Sequence, residues 1–352
     1  MTRLVNSGQA HVTCLEPYQG TEQQWHDLLS SCAADTLFIT PGWQKVWWEQ
    51  FGDGAEKLLL CLKGENSIEA IAPLARRNGT ISFIGSQDVC DYNDFLVSRG
   101  AEARFYPCLL GHLDGEEWET LELSSLPESS PTLAYLPDLA RQRGYSVELK
   151  EEDVAPALSL PDSWDAYLGT LSKKDRHELR RKLRRLGQIG GGEWAEEVTP
   201  LSPPETPHGV RCYKLSDPAE VESSLEDFFA LMRSSRETKH RFLTPPREQF
   251  FRNIAREMSG IGVFKLFFLE LKGERVAAAM CFDYGPGRLL YNSGFNPAHG
   301  YYSVGLLLKA LCIKDAIEEG KAYFDFLRGS EPYKYDLGGK NRTVYQMVVK
   351  RS

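Results

Sequence analysis

The order of elements in the second half of the chain constrains the fold more than any other feature. Residues 263–271 (VFKLFFLEL), the turn Lys272-Gly273, residues 275–283, the turn Gly285-Pro286-Gly287 and residues 288–295 (RLLYNSGF) read as a three-strand meander. A glycine-bearing turn over 300–305 then opens an amphipathic helix. Val304, Leu307, Leu308, Leu311 and Ile317 fall roughly on one face of it, and Gly320 is its stop. The apolar strand Tyr323 to Leu327 follows, carries the single carboxylate Asp325, and runs straight into Arg328-Gly329, Glu331 and Tyr333-Lys334.

The first half repeats that opening. Residues 57–63 (KLLLCLK), the turn Gly64-Glu65-Asn66, residues 67–75, the turn Asn78-Gly79 and residues 80–84 form a second meander. Leu62-Lys63-Gly64-Glu65 matches Leu271-Lys272-Gly273-Glu274 at one offset, and Gly85 matches Gly294 at the same offset. A match that recurs at a fixed offset predicts an internal duplication. The expected division is 1–160 and 161–352, with the boundary where VAPALSLPDSW interrupts the pattern at 155–165.

Helices fill the intervals. Trp43 to Phe51 and residues 131–143 read as helices, and 219–235 places Val221, Leu225, Phe228, Phe229 and Met232 on one face. Pro246 opens another, with Phe250, Phe251, Ile254 and Met258 on its apolar side. The proline-rich run TPLSPPETPHG (199–209) reads as a loop.

At 352 residues the chain is long enough for two ordinary cores. Its net charge of −8 argues against DNA as a partner of the whole surface. The 8 cysteines form no CxxC pair, and several sit in apolar runs, which predicts reduced, buried thiols and a cytoplasmic protein. Neither a signal-peptide core nor a membrane-spanning run is legible, and no Walker loop, metal-ligand spacing or GxSxG elbow occurs. No metal is expected.

The positive charge is concentrated. Residues 172–186 (SKKDRHELRRKLRRL) carry eight Lys/Arg and two acids around a narrow stripe of Leu179, Leu183 and Leu186. Ser172 is placed to cap this helix. Such a surface suits phosphates of RNA, anionic headgroups of a membrane touched from one side, or a sugar nucleotide; a plainly solvated face is the other reading. Arg236, Lys239 and Arg241 add a second cationic cluster.

The run FDFLRGSEPYK, with the helix before it, resembles the C-terminal signature of CelD-like and FemABX-like acyltransferases of the GNAT superfamily. The resemblance is strongest over 165–340 and weaker over 35–150. It implies two GNAT-like α/β (α+β) domains, each a mixed, mostly antiparallel sheet flanked by helices, the first degenerate. It also implies a thioester donor, acyl-CoA and first of all acetyl-CoA, whose pyrophosphate would sit on the helix N-terminus at Tyr302, Ser303, Val304 and Gly305. The usual glycine-rich pyrophosphate turn is altered here to His299-Gly300-Tyr301-Tyr302.

Mapped residue by residue, the signature makes Asp325, Tyr333 and Lys334 the catalytic candidates. Asp325 would orient or deprotonate the acceptor, and Tyr333 and Lys334 would serve the donor or the oxyanion. Arg328 and Glu331, between them, and Arg176, Arg236 and Lys239 are expected to bind substrate, as are Asp91 and Tyr92 of CDYNDFLV, where related proteins carry an Asp-Tyr pair. The implied activity is N- or O-acyl transfer to a sugar, a polysaccharide precursor or another cell-envelope intermediate. Two alternatives accompany it: transfer from aminoacyl-tRNA, as some FemABX-type enzymes perform, and a non-catalytic accessory role in polysaccharide synthesis.

Overall fold

A computed structural model of the chain describes residues 15–65, 67–85, 88–190 and 209–351. The run at 199–208 lies outside them. Two compact units emerge: residues up to Glu152 joined by those from Tyr345 onward, and Asp153–Val344. The final strand, Thr343–Lys350, thus belongs almost wholly to the first unit's sheet, whereas the sequence reading runs the second domain to 352.

In the second unit the meander forms as its apolar runs and turns dictate. Phe264–Leu271, Glu274–Tyr284 and Gly287–Phe295 pair antiparallel in sequence. The two-residue turn Lys272-Gly273 has positive φ at both positions (51° and 85°), the geometry that matches the twist of a tight hairpin. The helix Val304–Glu318 crosses over and delivers Tyr323–Asp325 parallel to Gly287–Phe295. Val210–Leu215 and Ala157–Ser159 complete the six strands at the two edges. Leu307, Leu308, Leu311 and Ile317 enter a core shared with Phe267, Ala279 and Phe324. The stripe Leu179, Leu183 and Leu186 of the basic helix Lys173–Gly187 joins the same core, and Ser172 Oγ caps that helix by accepting from Asp175 N at 3.1 Å.

The first unit repeats the plan. Glu56–Lys63, Ile68–Arg77 and Thr80–Phe83 form an antiparallel meander, and Thr120–Pro127 pairs parallel to its third strand after the helix Glu102–Asp114. Phe105, Leu109, Leu110 and Leu113 of that helix pack into the unit's own core. Both units therefore are GNAT-like in order and strand sense. The matching LKGE segments sit at the same hairpin in each, but the second glycine match does not hold in three dimensions. Gly85 lies past the end of its strand with φ 136°, while Gly294 is inside Gly287–Phe295, where a Cβ would come within 2.2 Å of Met232 N.

The seven cysteines among the described residues are buried free thiols. Among the same residues, no helix is long and apolar enough to cross a membrane.

Candidate active site

The parallel ladder between Gly287–Phe295 and Tyr323–Asp325 is short: it ends at the pair Leu289 and Asp325. Beyond that rung the longer strand continues to Phe295 without its neighbour. A cavity of about 380 Å³ lies along this stretch, lined by Ser293 and Phe295, by Ser303–Leu306 of the crossover helix's start, and by Glu331 and Tyr333. Arg236, Lys239 and Lys309 complete the charged lining.

Ser303 is the hinge into the helix. It adopts φ 55° and donates its N–H to Gly300 O at 2.9 Å; its hydroxyl makes no capping bond, contrary to the simplest reading of a serine at that place. The first helical N–H groups, those of Val304 and Gly305, have no carbonyl one turn back, so they and the helix dipole favour negative charge in the cavity. Gly305 permits a close approach, because a Cβ there would meet the Phe295 ring at 2.8 Å.

Three basic side chains face one acid. Lys309 is buried in the crossover helix, donates to Gly305 O at 2.9 Å and sits 4.6 Å over the Tyr333 ring. Burial pushes its pKa down to about 8. Lys239 donates to Asn292 Oδ1 at 3.1 Å and to Ser293 O. Burial, reinforced by the nearby positive charges of Lys309, Arg236 and Lys334, brings it down to about 7 against the opposing pull of Glu331. Burial would raise Glu331, but the ammonium of Lys334, 2.9 Å from its carboxylate, holds it below the usual range. Burial raises the Tyr333 phenol, so Tyr333 remains a neutral donor.

The signature loop is partly scaffold. Leu327 and Gly329 take positive φ (58° and 108°), which turns carbonyls inward, and Lys334 Nζ gathers them: Leu327 O at 3.0 Å, Arg328 O at 2.7 Å and Gly329 O at 3.0 Å. Asp325 is 3% exposed; it accepts from Leu327 N at 2.8 Å and pairs with Arg342 at 2.5 Å. Asp325, Arg328 and Lys334 do not line the cavity, whereas Glu331 and Tyr333 do.

Of the other expected residues, Ser303, Val304, Gly305, Arg236 and Lys239 converge on the cavity and Tyr302 packs beside it against the core. Arg176 is on the basic helix, away from the lining. Asp91 and Tyr92 belong to the first unit, where Tyr92 is buried edge-on to Phe38, 6.0 Å between ring centres. That unit has its own polar cavity of about 550 Å³, lined by Arg77, Ser82, Glu122 and Ser124 among others, and neither residue lines it. Lys309 was not singled out from sequence. Its signal was present: a lysine inside the otherwise apolar GLLLKALC run.

Residues 173–335 match the model of an acetyltransferase (GNAT) domain, spanning the crossover helix, the cavity lining and the signature loop. The second unit thus carries a segment similar to GNAT acetyltransferases. The chain's fold is similar to that of FemX: it superposes on the crystal structure of FemX with a TM-score of 0.65 at 12% identity, covering 94% of this chain and 96% of that one. The structure of L-PGS from Bacillus licheniformis gives 0.55 at 12% identity over 95% and 93% of the two chains. The C-terminal domain of a proposed lysylphosphatidylglycerol synthetase from Agrobacterium fabrum gives 0.54 at 10% over 94% and 92%. Among curated proteins, none matches the sequence. The match over 173–335 supports a transferase.

Proposed function

We propose that this protein transfers an acyl group from acyl-CoA, acetyl-CoA first, to an amine or hydroxyl of a sugar, polysaccharide precursor or other cell-envelope intermediate. The observation that carries the reading is the cavity itself: a strand split at Leu289/Asp325, a helix N-terminus at Ser303–Gly305, and Arg236, Lys239 and Lys309 around one acid. Helix N–H groups and the Arg236 and Lys309 cations suit a pyrophosphate, and the strand edge left open past Leu289 suits an extended thioester arm. A volume of about 380 Å³ holds a reacting centre with part of its carrier.

In this reading Tyr333 and Lys309 stand at the acyl group as hydrogen-bond donor and cation for the developing oxyanion. Asp325 and Lys334 serve through the loop they hold, keeping Glu331 and Tyr333 at the cavity wall. The test is release of free thiol from acetyl-CoA and longer acyl-CoAs against a panel of amino sugars and sugar nucleotides. Acceptor-dependent thiol release supports the proposal; none with any pair, from protein that binds the donor, removes the acceptor class.

Transfer from aminoacyl-tRNA keeps one specific observation in its favour. The cationic helix Lys173–Gly187 reaches the turn before the cavity: Arg185 donates to Tyr301 O at 2.8 Å and stacks 4.6 Å over its ring. Salt-sensitive retention of tRNA, lost on replacing Arg181, Arg184 and Arg185 together, distinguishes this second reading.

A further inference from the structure

Three buried or half-buried lysines, Lys239 and Lys309 in the cavity wall and Lys334 in the loop that carries Glu331 and Tyr333, differ in the kind of partner they have. Lys334 meets three carbonyl oxygens and a carboxylate, more acceptors than an ammonium has protons. Lys309 has one carbonyl and the face of an aromatic ring, which also suits a cation. Lys239 has two acceptors, Asn292 Oδ1 and Ser293 O, and among the described residues no carboxylate forms an ion pair with it. A neutral amine has two N–H donors and one lone pair. At Lys239 the two donors are used by the strand, and the third tetrahedral position is left for the cavity that this residue lines.

We infer that Lys239 is the general base of the reaction: its neutral amine takes the acceptor's proton as the nucleophile attacks the thioester carbonyl. This rests on the acyltransfer reading above. The acceptor nitrogen or oxygen forms the new bond to carbon, its proton passes to the Lys239 lone pair, and the carbon–sulfur bond breaks. The departing thiolate then takes a proton from the Lys239 ammonium, so the residue ends as it began. Asp325, the candidate from sequence, has its two oxygens on Leu327 N and Arg342 instead. Burial opposes protonation of Lys239; among the charged groups facing it Lys309, Arg236 and Lys334 do so too, and Glu331 favours it.

Two readouts test the role without knowledge of the acceptor. Competitive labelling with acetic anhydride, followed peptide by peptide by mass spectrometry, gives the titration of Lys239 in the intact protein. A midpoint near 7 is expected; a midpoint near the ordinary lysine value of about 10 overturns the inference. Thiol release from acetyl-CoA with water as nucleophile should rise through the same midpoint. Lys239→Gln and Lys239→Arg should both lower it by about a hundredfold and remove that rise, although the arginine keeps the positive charge. An active Lys239→Arg variant with an unchanged profile overturns the inference. Failure of acetyl-CoA to bind at all is a separate result: it sinks the acyltransfer reading and leaves the labelling midpoint where it is.

Discussion

Leu289 and Asp325 form the last rung of the parallel ladder between their strands, and the candidate active site begins where that rung ends. In the proposed function the split gives a narrow thioester arm a place beside backbone, with the crossover helix's N-terminus alongside. Gly305 sets how closely that helix can come to Phe295. Gly305→Ala should therefore fold but weaken acetyl-CoA binding by about tenfold or more, since the ring or the helix must shift into the cavity. Titration calorimetry beside a thermal melt separates the two effects.

Lys334 should prove a scaffold residue. Lys334→Met leaves three inward carbonyls and Glu331 without their cation, and breaking a buried pair of this kind costs roughly 3–5 kcal/mol. Chemical denaturation should show that loss together with a fall in activity. Activity lost with stability unchanged would instead mean that Lys334 acts on substrate directly.

A second charged network lies in the second unit's core. Arg288 is fully buried and bonds Asp283 at 2.7 and 2.9 Å, Asp315 at 2.5 Å and Glu319 at 2.5 Å, while Lys214 and Lys321 balance the remaining charge. Arg288→Met should lower stability by about 3–5 kcal/mol, and Arg288→Lys should recover little of it, because a point charge cannot serve three carboxylates through a planar fork. Denaturant titration of both variants checks this.

Asp94 makes the stability of the first unit depend on pH. It is fully buried, bonded to Thr132 and to Phe95 N at 2.8 Å, and burial lifts its pKa from 3.8 to about 6. Between those values the folded state holds a proton that the unfolded state has released, so stability should fall as pH rises from about 4 to about 6. Asp94→Asn should flatten that slope. Melting curves of both proteins across the window test the sign.

Much of the fold was legible because its signals are local. Apolar runs bounded by glycine-bearing turns marked both meanders, and the apolar run after Ser303 marked the crossover helix, which is buried on nearly every face. The capture of Thr343–Lys350 by the first unit's sheet was not legible, since strand partners are set by long-range pairing. A turn, a charge cluster and a signature single out Ser303–Gly305, Arg236, Lys239, Glu331 and Tyr333 in the sequence, and these residues line one cavity. The division of labour was hidden. Asp325 and Lys334 look as reactive on paper as Tyr333, and only the positive φ of Leu327 and Gly329 shows the carbonyls that occupy Lys334.

The most direct test is calorimetric binding of acetyl-CoA to the wild type and to Arg236→Ala, a variant at the cavity's exposed rim. The account predicts a Kd on the order of micromolar, about −8 kcal/mol, weakened about tenfold or more by the substitution and by added salt. No binding of acetyl-CoA or any longer acyl-CoA to a folded wild type would contradict it.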